Sequence, residues 1–366
     1  MIHLSTSMRA KARLILALVV LAVGLAMIAD DLAAQRKGTT RVALKDVDTW
    51  GYQLQNVVPR LVAKDGFDVL IVDYSRDGTD AGALSRDDVA TLRKRAGQPD
   101  RIILAYLSIG EAEDYRYYWN AGWSEKPTPI AASVSTPARP RGFLGAPDGV
   151  SLGMPDKSSA LAKLTAAAPP WLADENPEWR GNYLVRYWDE TWQSIIFGGP
   201  SSYLDKIIAA GFDGVYLDKI DANDDWQSTR PTAEREMVDF VKKLAIHARA
   251  RSPGFLIVPQ NGEELLEFPD YVQIIDAIAK EDLLFGGASR KDGVMNPELE
   301  VLKSKRHLDK ARRAKRPVLA VEYLDQLEQI LSARQRLRSY GYIPFFARRA
   351  LDAPPNPVPT NPTPKQ

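Results

Sequence analysis

Cysteine is absent from the 366 residues, which excludes disulfides, thiol nucleophiles and thiolate metal sites. Histidine is nearly absent. His3, His247 and His307 are far apart in sequence, form no metal-ligand spacing, and adjoin no expected strand end. Neither a zinc site nor a Ser-His-Asp set is therefore supported. Charge of one sign is lacking too: 48 Lys and Arg against 47 Asp and Glu leave a net +1, with no basic field to attract nucleic acid. No G-x-G-x-x-G fingerprint and no P-loop occurs, so no phosphate cradle and no cofactor is expected.

What is present begins with a targeting signal. Arg9, Lys11 and Arg13 precede an apolar run from Leu14 to Ala29, the pattern of a secretory signal. The run is a little short for a transmembrane helix of about twenty residues. We expect a signal and spacer over 1–34 and a periplasmic or secreted protein. The alternative is an uncleaved inner-membrane anchor, and only in that case a membrane contact. The chain as a whole is 45% hydrophobic and 26% charged, a normal globular balance that permits a large core. Residues 35–352 are expected to form one domain, followed by a disordered Pro-rich tail at 353–366.

Within that domain, apolar runs alternate with helical segments, which argues for parallel βα units. Strands are expected near Thr49–Gln55, Asp68–Tyr74, Arg101–Leu107, Asn182–Trp188, Val215–Leu217, Phe255–Val258, Tyr271–Lys280, Pro317–Tyr323 and Tyr342–Ala347. These are nine candidates where a (β/α)8 TIM barrel needs eight. Either Asn182–Trp188 is not a barrel strand, or a terminal run lies outside. A doubly wound open sheet is the alternative, although it usually carries a Gly-rich first turn when it binds nucleotides. Residues 120–180 are rich in Pro, Ala, Gly and Ser and too long for a plain βα loop, so they read as an insertion after the third strand. Trp123, Phe143, Trp171 and Trp179 in it are candidates to stack on sugars, or to pin the loop to the barrel.

Five apolar runs deliver a carboxylate at or just beyond their ends: Asp73, Glu111, Asp218, Glu281 and Glu322. Strand ends that share one barrel face would gather these acids in one cleft. Around them stand Tyr106 on the third strand, Lys219 and Asp221 after GVYLD, and Gln260, Asn261 and Glu263 in PQNGE. The segment Gly110–Arg116 packs three acids, a tyrosine and an arginine together; it reads as a substrate-binding corner or as a solvated helix start. Asp221, Asp224 and Asp225 lack EF-hand spacing. Glycoside hydrolysis needs one protonated and one ionised carboxyl. Asp218 and Glu281, on separate strand ends, suit such a pair, and Lys219 is placed to keep Asp218 ionised.

Over most of residues 49–325 the chain resembles glycoside hydrolase family 114, the endo-α-1,4-polygalactosaminidases, and related bacterial extracellular TIM-barrel proteins. The stretches that carry the resemblance are WGYQL, IVDYSRDG, AYLSIGEAEDYRYYW, GFDGVYLDKID, PQNGEELL, AIAKEDLLF and AVEYL. The resemblance implies a (β/α)8 barrel and hydrolysis of α-1,4-linked galactosamine polymer with retention by two carboxylates. It puts the nucleophile on Asp218 and the acid/base on Glu281, with Glu263 as the other candidate. Asp73 and Glu111 become substrate contacts. A cationic amino-sugar polymer suits the acidic stretch Asp213, Asp218, Asp221, Asp224 and Asp225. Two other readings stay open: a non-catalytic polysaccharide-binding or assembly protein on the same barrel, and a hydrolase of a different glycan.

Overall fold

The computed structural model describes residues 42–62, 66–95, 97–125, 161–287 and 291–352. The expected signal, the Pro-rich tail, Phe143 and much of the insertion lie outside those residues. The fold is α/β with a parallel central sheet. Eight strands contribute: β1 (Trp50–Gln53), β2 (Val69–Asp73), β3 (Ile102–Ser108), β4 (Gly214–Asp218), β5 (Leu256–Pro259), β6 (Ile278–Glu281), β7 (Val318–Tyr323) and β8 (Ile343–Ala347). The first five form one parallel sheet in sequence order, and the last three form another. A parallel bridge between Gln260 and Ala279 joins the two. At the other side, Trp50 of β1 donates its indole N–H to the Ile343 carbonyl of β8 at 2.8 Å.

Two apolar cores explain why the strand sequences are hydrophobic on both faces. Side chains alternate along a strand, so every second residue faces the same way. Trp50, Tyr52, Val69, Ile71, Leu104, Tyr106, Tyr216, Val258, Ala279, Val321 and Phe345 form one core, on the inner face of the strands. Their neighbours, Leu70, Val72, Ile103, Ala105, Val215, Leu217, Ile257, Ile278 and Ala320, belong to the other, under the helices. Helices follow the strands at Arg86–Arg93, Tyr203–Ala210, Ala233–Arg251, Glu298–Arg313 and Leu327–Ser339. Ser85 caps the first through a capping box with Asp88, and Gly211 ends the second in the left-handed region at φ 88°.

Two open readings are decided and one expectation changes. Asn182–Val185 is a strand, but it pairs antiparallel with Glu111–Glu113 and with Leu172–Glu175, outside the parallel set. Gly110–Arg116 is accordingly not a helix start: Glu111–Glu113 extends β3 into this small sheet. A Cβ at Gly110 would collide with the Lys219 carbonyl and the Ala222 methyl, so the glycine allows the ends of β3 and β4 to approach. Tyr271–Lys280 is not one strand. Pro269–Ile274 is a helix with Pro269 in its first turn, and β6 begins only at Ile278.

Candidate active site

Alternation along the strands decides which end residues meet. Tyr52, Asp73, Tyr106, Asp218, Gln260, Glu281 and Tyr323 all line one cleft of about 370 Å³ above the inner core. Glu111, Lys219, Asp221 and Asn261, just past strand ends, line it as well. The small antiparallel sheet and its turn add Asn176, Glu178, Trp179 and Arg180 from the insertion, and Asn182 just after it. Nine of the eleven expected site residues are thus brought together.

Glu263 and Glu322 are not among the lining residues. Glu322 alternates with Val321 and Tyr323 and so faces outward. Completely buried, it accepts the backbone N–H groups of Leu284 and Phe285 at 2.8 and 3.1 Å. Burial pushes its carboxyl up to about 8. Glu263 pairs with Lys280, which alternates with Glu281 and points outward to meet it at 3.1 Å. Asp213 also leaves the acidic group. It sits before β4, at the opposite end from Asp218, where it pairs with Arg93 and accepts the Ile103 N–H at 2.8 Å.

Asp218 is held by two donors. The Tyr106 hydroxyl donates to Oδ2 at 2.7 Å and the Lys219 backbone N–H to Oδ1 at 2.8 Å. Lys219 adopts a left-handed conformation, φ 57°, directly after the strand. Burial pushes the Asp218 carboxyl up to about 6; the Tyr106 hydrogen bond opposes this, and the Asp221 charge adds to it. The Lys219 ammonium makes no ion pair with Asp218 among the described residues. It reaches Glu111 at 3.2 Å and Asp225 at 3.7 Å, so it favours ionised Asp218 only from a distance.

Glu281 accepts from the Gln260 amide at 2.9 Å, and its own N–H donates to Asn261 Oδ1 at 3.1 Å. Gln260 and Asn261 thereby hold the side chain and the backbone of one residue. Burial pushes the Glu281 carboxyl up to about 7, helped by the negative charges of Asp282 and Asp218, while the Tyr323 hydroxyl and Arg349 oppose the rise. Tyr52 lines the same cleft and packs on Tyr216, their ring centroids 5.0 Å apart, and the negative charges of Asp218 and Glu281 raise both phenols further above their ordinary value.

Asp73 is already engaged. Arg116 donates to both its oxygens at 2.9 and 2.8 Å and to Glu113 at 2.6 Å, all three side chains being buried. Tyr115 donates to the same Glu113. This network shapes the wall of the cleft. Glu111 is similarly fixed, accepting from Asn176 at 2.8 Å. The insertion tryptophans divide in role. Trp171 is 2% exposed and packs on Trp123 and Trp192, so Trp123 and Trp171 anchor the loop, whereas Trp179 faces the cleft.

Residues 150–356 match the sequence profile of glycoside-hydrolase family GH114. The chain belongs to that family. It is accordingly a glycoside hydrolase by membership, with a polysaccharide as its class of substrate. Relatives are 35% identical over 314 residues in Deinococcus radiodurans (85% of this chain, 83% of the relative) and 34% identical over 319 residues in Methanocaldococcus jannaschii, where the protein is MJ1477 (83% and 77%). Among solved structures, the family member resembles the glycoside hydrolase domain of PelA from Pseudomonas aeruginosa, with a TM-score of 0.54 at 18% identity, covering 84% of this chain and 97% of that one. It also resembles Aspergillus fumigatus Ega3 in complex with galactosamine, with a TM-score of 0.52 at 15% identity, covering 86% and 97%. At these identities the structural likeness speaks for the fold.

Sequence reasoning missed Tyr52, Tyr323 and Arg349, and named Glu113 and Arg116 only as part of the Gly110–Arg116 corner. The tyrosines read as core because they continue apolar runs. Arg349 lies two residues past β8, in a segment with no motif of its own.

Proposed function

We propose that this protein is an endo-acting, retaining glycoside hydrolase of α-1,4-linked galactosamine-containing polysaccharide, built on a (β/α)8 barrel closed between β1 and β8. The observation that carries the proposal is the pair Asp218 and Glu281 in one cleft, with burial and neighbouring charge setting Glu281 above Asp218. A carboxyl that keeps its proton near neutrality beside one that ionises more readily is the division of labour such hydrolysis needs.

In the proposed reaction, protonated Glu281 gives its proton to the glycosidic oxygen. Ionised Asp218 attacks the anomeric carbon, and the bond to the leaving chain breaks. Asp218 is then esterified to the sugar, and Glu281 is a carboxylate. A water in the vacated position gives a proton to Glu281 and its oxygen to the anomeric carbon, which frees Asp218 and restores the acid. Tyr106 and the Lys219 N–H aim Asp218; Gln260 and Tyr323 aim Glu281. Asp221 lines the cleft beside Asp218 and offers a carboxylate to a substrate ammonium group, and Trp179 offers a ring to a sugar face.

The substrate assignment is supported by the family and by the acidic lining, which would attract a cationic polymer. The assigned secretion, the domain limits and the barrel closure belong to the same proposal. The test is mass spectrometry of soluble products after incubation of residues 35–366 with partly deacetylated α-1,4-galactosamine polymer. Short oligomers are expected. Saturable binding with no new chain ends would favour the binding-protein reading, and cleavage of another polymer only would move the substrate.

A further inference from the structure

Arg349 stands just beyond β8, yet its guanidinium reaches across three other chain segments. It donates to both oxygens of Asp282, at 3.0 and 2.9 Å, and to Asp292 Oδ1 at 2.8 and 2.6 Å. Its Nη1 lies 3.8 Å from Glu281 Oε1. Its Cζ sits 4.1 Å from the ring centroid of Tyr323, whose hydroxyl bonds Glu281. The surroundings leave it little freedom. Asp282 is held at φ 54° directly after the strand, and a Cβ on Gly286 would come within 3.1 Å of Asp282 Oδ1 and 3.3 Å of Arg349 Nη2.

We infer that Arg349 is a positioning residue for Glu281, fixing the carboxylate and the turn after it and supplying the positive charge that lets Glu281 alternate between acid and base. The inference rests on the role of Glu281 proposed above. An acid/base group must be stable in both protonation states, because the cycle uses each once. The groups that face Glu281 are Asp218 and Tyr216 from β4, Tyr52 from β1, Gln260 from β5, Tyr323 from β7, the adjoining Asp282, and Arg349. Two of these are acids that oppose its ionisation. Lys280, the adjacent cation in sequence, is turned away to Glu263. Arg349 therefore balances Asp282 and Asp218, and its planar fork does so while clamping Asp282 in a bidentate pair, which a lysine cannot reproduce.

The experiment compares R349Q, R349K and D292N with the parent in two readouts. One is a carbon-13 carboxyl NMR titration of Glu281 in the free protein, its resonance assigned with E281Q. The other is the pH profile of kcat/KM on galactosamine polymer. R349Q should raise the Glu281 midpoint by about one pH unit, since an opposite charge at this range is worth at least that, and the alkaline limb should follow. R349K should move both in the same direction by roughly half as much. D292N, which cuts the outer tie only, should leave the midpoint within a few tenths. A parent-like midpoint in R349Q overturns the inference, and so does an equal shift in D292N, which would mean general loosening. If R349Q does not fold, R349K decides, and a parent-like midpoint and limb there overturn it. A midpoint shift in R349Q with no polymer cleavage by the parent would sink the assigned activity and leave the placement of Arg349 standing.

Discussion

The Tyr106 hydroxyl crosses from β3 to β4 to donate to Asp218 Oδ2 at 2.7 Å. The register allows it: Tyr106 is level with Tyr216 and Ser108 with Asp218, so the phenol, facing inward, reaches the next inward layer of its neighbour. A buried hydrogen bond to an ionised group contributes about 1.5–3 kcal/mol. Y106F should therefore lower kcat/KM by roughly tenfold or more and move the acid limb of the profile upward, because unsupported Asp218 is harder to ionise. Steady-state kinetics across pH measures both effects.

The paired carboxyls predict a narrow bell. In the proposed mechanism Asp218 must be ionised to attack, so activity should fall below its value near 6; Glu281 must be protonated to act as acid, so activity should fall above its value near 7. The two interact, so the limbs report the pair. The kcat/KM profile should peak between pH 6 and 7, and a plateau extending beyond pH 9 would contradict the assignment of Glu281 as the acid.

Trp171 and Trp179 should behave differently although both lie in the insertion. W171A empties a site packed against two other tryptophans and should cost about 3–5 kcal/mol in urea unfolding. W179A should leave stability within about 0.5 kcal/mol and raise KM for the polymer, because the ring faces the cleft.

Glu322 gives the stability curve a sign. Its folded value, near 8, is above that of an unfolded glutamate. The neutral form is the one the site accepts, so the stabilisation is full at pH below the unfolded value and is lost as pH rises toward 8. E322Q should match the parent near pH 5 and unfold at higher urea concentration than the parent at pH 8, a comparison that equilibrium unfolding at the two pH values makes directly.

Much of the fold was legible because the strands are buried on both faces and read as unbroken apolar runs. That same feature hid the site's finer selection. Lys280-Glu281 and Glu322-Tyr323 each place two polar residues at a strand end, and only the alternation of side chains separates the inward Glu281 and Tyr323 from the outward Lys280 and Glu322. The inward Ala279 and Val321 carry that parity in the sequence, but a run with no polar face offers nothing to set it against. Asn182–Val185 stayed undecided for a related reason. Its inward residues, Tyr183 and Val185, look like those of any strand, and nothing local reveals an antiparallel partner as far back in the chain as Glu111–Glu113, where Ala112 stands opposite Tyr183. Arg349 was invisible because its partners, Asp282 and Asp292, come from distant parts of the chain and carry no motif in common with it.

The central claim is that Asp218 and Glu281 together break the glycosidic bond. The most direct measurement is the rate of new reducing ends released from galactosamine polymer by D218N and E281Q beside the parent, with folding of each confirmed by near-UV circular dichroism. The account predicts a loss of about a thousandfold or more in both variants with unchanged spectra. Full activity in either folded variant would contradict it.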